Sequence, residues 1–231
     1  MSDIDNLISD IELEVAATRR YIGKTAFSPL VMAAMAAVPR HEFMPEGVRE
    51  LAYENMAVSI GYGQTVSQPY IVALMTDLLD PKPDDVILEV GTGSGYQAAV
   101  LSLLVRKVHS TETISALANL AIARLQQLDY RNVEVHTCDG YYGWGAHAPY
   151  DGIIVTAAAP HIPRPLVDQL NPGARLVIPV GAPYAGQQLI VVEKALDGTL
   201  SQKDVLSVVF VPLTGAGHDQ PVDIAEERSV Y

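Results

Sequence analysis

Three glycines at alternate positions, Gly91, Gly93 and Gly95, follow an apolar run, Val86-Ile87-Leu88, that is closed by Glu89. The run reads as a buried parallel strand, and a helical pattern begins at Tyr96. Glycines at such a turn let the backbone fold back tightly and approach a ligand with no Cβ in the way. The ligand would then lie over the carboxyl end of the strand, beside the helix N-terminus. A dinucleotide fingerprint needs Gly-x-Gly-x-x-Gly. Counting from Gly91 its third glycine is replaced by Tyr96, and counting from Gly93 by Ala98, so the spacing points away from that ligand class. A glycine-rich turn that holds nothing is the bland alternative.

Acidic residues recur at the ends of successive strands, where a doubly wound sheet holds its ligand. Glu89 ends the first and can stand near an ammonium group, directly or through the loop. Glu112, just past the second, is placed to accept hydrogen bonds from ribose hydroxyls. Asp139, with Gly140, follows the third, where an adenine amino group needs an acceptor. One such residue alone reads as a solvated charge. Three in succession fit a sulfonium cofactor that also carries an ammonium group.

A second reactive segment lies upstream, Gly63-Gln64-Thr65-Val66-Ser67-Gln68-Pro69. Ser67 is expected at the N-cap of a helix from about Gln68 to Leu79, with Pro69 in its first turn. Either Ser67 only caps that helix, or Thr65, Ser67 and the helix N–H groups form an anion site. The histidines, His41, His109, His136, His147, His161 and His218, show no metal-ligand spacing, and no metal is expected. No Gly-x-Ser-x-Gly elbow is present. The rim Thr156-Ala157-Ala158-Ala159-Pro160 supplies no general base, and a carboxylate acceptor needs none, since its pKa of about 4 leaves it ionised at neutral pH.

The elements that position these residues follow from periodicity. Residues 3 to about 20 carry an apolar stripe at helical spacing, and Ser28 to Ala37 reads as a second helix with Pro29 just inside. Helices are expected at Tyr96–Leu104, Ile114–Leu128 and Pro163–Leu170. Strands are expected at Lys107–Thr111, Val133–Thr137, Gly152–Thr156, Arg175–Val180, Gln188–Leu196 and Val205–Pro212, with a hairpin turn at Asp197-Gly198. The result is a Rossmann-like, doubly wound α/β sheet of seven strands. Five are parallel, an antiparallel pair closes the sheet, and an N-terminal helical cap is added. One domain is expected over 1–231, with the cap and active-site loop in 1–80, the sheet core in 81–214 and a tail in 215–231.

The 231 residues suffice for one such domain. A net charge of −12, from 15 basic and 27 acidic residues, disfavours a nucleic-acid partner, which needs basic clusters. No run of eighteen apolar residues suggests a membrane span, and the acidic start is unlike a signal peptide. The single Cys138 forbids an internal disulfide and suits a reducing compartment, so a cytoplasmic location is expected.

The glycine loop, Glu-x-Gly-x-Gly-x-Gly, resembles the S-adenosylmethionine loop of Rossmann-like methyltransferases. Four segments together resemble the protein-L-isoaspartate O-methyltransferase family: Val38-Pro39-Arg40 through Phe43-Met44-Pro45-Glu46, Gly63 to Pro69, Leu88 to Gln97, and Val155 to Pro160 with Ile162-Pro163. The resemblance implies methyl transfer from S-adenosylmethionine to the α-carboxylate of L-isoaspartyl residues in damaged proteins. It implies that Ser67 and Thr65 are catalytic, and that Glu89, Gly91, Gly93, Gly95, Glu112, Asp139, Gly140 and Thr214 hold the cofactor. The expected partners are isoaspartyl proteins and peptides, met by a monomer. Another carboxyl or small-molecule methyltransferase, or a noncatalytic nucleotide-binding module, is the competing expectation.

Overall fold

The computed structural model describes residues 2–183 and 185–215. His218 and the tail beyond Gly215 lie outside the described residues.

The N-terminal stripe forms α1 (Asp3–Ile22), opened by a reciprocal Ser2–Asp5 capping box and ended at Gly23. It buries Leu7, Ile11 and Val15. Next are α2 (Pro29–Ala37) and two 3-10 turns, Arg40–Phe43 and Glu46–Leu51. A hairpin follows, β1 (Val58–Gly61) with β2 (Gln64–Val66), where the sequence suggested only a loop. It leads into α3 (Pro69–Leu79).

The βα alternation is as expected: β3 (Val86–Val90), α4 (Tyr96–Ser102), β4 (Lys107–Glu112), α5 (Ser115–Gln127) and β5 (Val133–Thr137). Two 3-10 turns, Gly140–Tyr142 and Gly145–His147, replace a helix before β6 (Tyr150–Val155). The chain then forms α6 (Arg164–Asp168), β7 (Leu170–Ala182), β8 (Ala185–Lys194) and β9 (Leu200–Val208).

The seven-stranded sheet has the order β5-β4-β3-β6-β7-β8-β9, parallel from β3 to β7 and antiparallel in its last two pairings. The order reverses at β3, between its neighbours β4 and β6, so the glycine loop opens at the switch point where such sheets bind ligands. One face packs against α1 to α5 through a single apolar cluster that runs from Leu7 to Phe210. On the other, α6 joins Tyr150 and the inward side of β6 and β7 in a smaller cluster.

The largest departures from the expected strand boundaries are in β7 and β9. β7 starts at Leu170 rather than Arg175, because the expected helix Pro163–Leu170 ends at Asp168. β9 spans Leu200–Val208 rather than Val205–Pro212. Its first half, Ser201-Gln202-Lys203-Asp204, is polar because it forms the sheet's outer edge, and that hid it. Beyond β9 the chain swings back over the strand ends, with Ala158 N–H bonded to Val211 O and Leu213 N–H to Ala158 O, both at 2.8 Å. No helix among the described residues is long and apolar enough to cross a membrane.

Candidate active site

Two concavities meet at the carboxyl ends of the strands. The narrower cleft is lined by Gly91, Gly93, Glu112, Gly140, Thr156 and Thr214, among others. A broader groove of about 610 Å³ lies between α1, the start of α3 and the segment from Leu206 to Phe210. Thr65 lines both, and Ser67 lines the groove.

The cleft is shaped by backbone that tolerates no side chain. Gly91 has φ +99°, and a Cβ there would fall on Thr156 Oγ1. That hydroxyl instead donates to Gly91 O at 2.6 Å. A Cβ on Gly140 would sit 2.5 Å from Val90 Cγ1 and 3.0 Å from Thr111 Oγ1. The N–H groups of Gly91 and Thr92 both donate to Thr111 O, which fastens the loop to β4. Gly95 begins α4 and packs towards Leu125, away from the cleft wall.

The three strand-end acids take different stations. Glu112 lines the cleft, and its carboxylate accepts Gly93 N–H at 2.8 Å and Ile114 N–H at 2.9 Å. A carboxylate has about four acceptor sites, so both oxygens retain capacity for a ligand hydroxyl. Glu89 is fully buried behind the loop rather than on the cleft wall. It accepts a hydrogen bond from the Ser110 hydroxyl, which is in turn 2.5 Å from Thr92 Oγ1, so it reaches the loop indirectly. Burial pushes the Glu89 carboxyl up to about 8, opposed by the Ser110 bond and reinforced by nearby Glu112. Its Oε1 has no hydrogen-bond partner among the described residues. Asp139 accepts Tyr141 N–H at 3.0 Å and faces Gly215, beside Gly140 on the wall. The carbonyl of Thr214 accepts a bond from Thr113 Oγ1 at 3.2 Å, which holds the returning segment over the cleft.

Ser67 does not cap α3. The N-cap is Gln68, and no side chain of that residue caps the helix. Asn55 serves instead: its Oδ1 accepts Tyr70 N–H at 2.9 Å, while its Nδ2 donates to Glu14 Oε2 at 2.7 Å. Gln68 Nε2 donates to the same Glu14 oxygen at 2.9 Å. Since Pro69 has no N–H and that of Tyr70 is taken, the helix start offers fewer free donors than its position suggested. The Ser67 hydroxyl has no protein partner among the described residues, which leaves it available to whatever occupies the groove.

Sequence reasoning missed Glu14, Asn55 and Arg40 as positioning groups. Arg40, fully buried, donates to Ala52 O at 2.7 Å, Met56 O at 2.9 Å and Ser67 O at 3.1 Å. The signal available for it was its place in the proline-bounded segment Val38 to Glu46. Glu14 and Asn55 are far apart in sequence, and neither carries a local motif.

The family model for protein-L-isoaspartate(D-aspartate) O-methyltransferase matches residues 18–218. Protein-L-isoaspartate O-methyltransferase 2 of Nitrosococcus oceani is 59% identical over 93% of this chain and 97% of its own length. The protein of the same name from Syntrophobacter fumaroxidans is 58% identical over 92% of this chain and 85% of its own. A solved protein-L-isoaspartate O-methyltransferase superposes with a TM-score of 0.80 at 25% identity, over 92% of this chain and 66% of that one. Another, a putative member from Plasmodium falciparum in complex with S-adenosyl-L-homocysteine, shares the fold with a TM-score of 0.74 at 23% identity, over 93% and 99%. On the extent of the family match and the identity to these bacterial relatives, the chain belongs to the protein-L-isoaspartate(D-aspartate) O-methyltransferase family.

Proposed function

We propose that this enzyme transfers a methyl group from S-adenosylmethionine to the α-carboxylate of L-isoaspartyl residues, with the acceptor in the groove and the donor in the cleft. The observation that carries this reading is Thr65, which lines both concavities, so that groups held in each meet there.

Three features support S-adenosylmethionine in the cleft. The orphaned, buried Oε1 of Glu89 behind the loop suits a cofactor that brings a cation. Glu112 keeps free acceptor sites on the wall. Gly140 on the cleft wall keeps the backbone close, since a Cβ there would collide with Val90 and Thr111. The remaining cofactor residues of this reading are Gly91, Gly93, Gly95, Asp139 and Thr214. When bound, S-adenosylmethionine supplies an electrophilic sulfonium methyl.

The chain's own work is then binding and alignment. The acceptor carboxylate is ionised at neutral pH, so it would meet the methyl donor as a ready nucleophile with no proton to be removed. Ser67 and Thr65 donate hydroxyl hydrogen bonds that hold the carboxylate in line. Arg40, Asn55 and Glu14 fix the backbone that carries them. The single Cys138 and the absence of basic clusters support a cytoplasmic enzyme acting on proteins rather than nucleic acid.

The acceptor atom is tested with an isoaspartyl peptide and its α-carboxamide analogue, each incubated with methyl-labelled S-adenosylmethionine. Base-labile label is expected on the first alone. Equal labelling of both would place the reaction elsewhere on the peptide.

A further inference from the structure

Between β5 and β6, where a crossover helix would cover the sheet, stacked side chains fill the space. His109 on β4 and Glu134 on β5 are direct cross-strand partners. His147 reaches them from the turn Gly145–His147, and its ring stacks on that of His109 at 4.2 Å and 12°. One ligand atom each from His109, Glu134 and His147 lies within 4.8 Å of the other two. His109 Nδ1 is 3.8 Å from Glu134 Oε2 and 3.1 Å from His136 Nε2. His136 is held from its far side by Trp144, stacked at 4.2 Å. None of these side chains lines the groove or the cleft.

We propose that His109, Glu134 and His147 bind a borderline first-row divalent cation, best matched by Zn²⁺, with His136 beside His109 to complete the coordination. Imidazole nitrogen with one carboxylate oxygen is the donor set that such ions take, whereas Mg²⁺ and Ca²⁺ take oxygen. Zinc bonds of about 2.1 Å put neighbouring tetrahedral ligands roughly 3.4 Å apart. His109 Nδ1 and His136 Nε2, hydrogen-bonded to each other at 3.1 Å, would exchange that bond for the ion. The wider group closes by rotating exposed His147 about its ring torsion, which is soft.

The opposing charge is Lys107, whose Nζ lies 3.1 Å from Glu134 Oε2. The ion would take this oxygen, which also faces His109 Nδ1 at 3.8 Å, in place of the ammonium. A bound ion would fasten the edge strand β5 to β4 and to the 145–147 turn. Its effect falls on stability, and methyl transfer needs nothing from it.

The test is calorimetric titration of the full metal-free chain with Zn²⁺, beside melting curves with and without the ion. His147→Ala and Glu134→Gln alter exposed side chains, so both variants should fold. One saturable site per chain is expected, with a raised melting temperature. Each variant should weaken that site by about tenfold or more, and Mg²⁺ should do nothing. Absence of saturable Zn²⁺ binding, or equal affinity in the wild type and both variants, would overturn the proposal.

Discussion

Arg40 and Ser67 are joined by a hydrogen bond of 3.1 Å from a fully buried guanidinium to the carbonyl of a groove residue. The same guanidinium holds the carbonyls of Ala52 and Met56, so one side chain sets the path of the 52–56 segment and of the loop before α3. A guanidinium serves several carbonyls at once because its five donors form a rigid planar fork; an ammonium cannot reproduce that reach.

Arg40→Lys is therefore expected to lose bonds to buried carbonyls at a cost of roughly 3 kcal/mol. In a chain of this size that lowers the melting temperature by about 6–12 °C. Below the melting range, turnover of an isoaspartyl peptide should fall while affinity for S-adenosylmethionine stays near the wild type. Melting curves and steady-state kinetics check this, and loss of cofactor affinity alone would contradict it.

Ser67→Ala separates two roles that the sequence left open. Since Ser67 caps no helix, the variant should melt within about 1 °C of the wild type, as a surface change with no lost internal bond does. Its kcat/KM for the isoaspartyl peptide should drop about tenfold, the value of one hydrogen bond of roughly 1.4 kcal/mol. Unchanged turnover would remove Ser67 from the catalytic site.

Gly140→Ala drives a methyl group into Val90 and Thr111. The expected cost is about 1–3 kcal/mol of stability, from overpacking against a strand that cannot move. Cofactor affinity should weaken by about tenfold as the wall shifts. Equilibrium dialysis and urea melts measure the two effects, and a variant as stable and as tight as the wild type would refute the close approach.

Glu89 makes the unliganded protein's stability depend on pH. Its carboxyl titrates near 8 when folded, raised from an ordinary 4.5 by burial. The folded state thus holds a proton that the unfolded state has released between those values, and stability falls as pH rises through that window. The contribution is complete below about 4.5 and lost above about 8. Glu89→Gln should remove this slope, so the wild type's advantage in urea midpoint shrinks from pH 5 to pH 8. Parallel midpoints at every pH would show that Glu89 is ionised throughout. Bringing a cation to the cleft should also release a proton, readable as a buffer-dependent heat of S-adenosylmethionine binding near pH 7.

The sheet was legible in the sequence because its signals are local. The run before Gly91, the alternating glycines and the acids at three strand ends are all read within a few residues. What stayed hidden depends on distant partners. Asn55 caps α3 across fifteen positions and is itself held by Glu14 from α1, so the sequence instead suggested Ser67 as the cap. The stack of His109, His136 and His147 has no ligand spacing in the chain and forms only because β4, β5 and one turn converge. The polar first half of β9 looked like a loop because an edge strand faces water.

The central claim is best tested by turnover of a matched peptide pair, one carrying L-isoaspartate and the other normal aspartate at the same position. Labelled methyl from S-adenosylmethionine is predicted to reach only the isoaspartyl peptide. Equal labelling of both peptides, or none of either while S-adenosylmethionine still binds, would contradict the assignment of the groove as an isoaspartyl site.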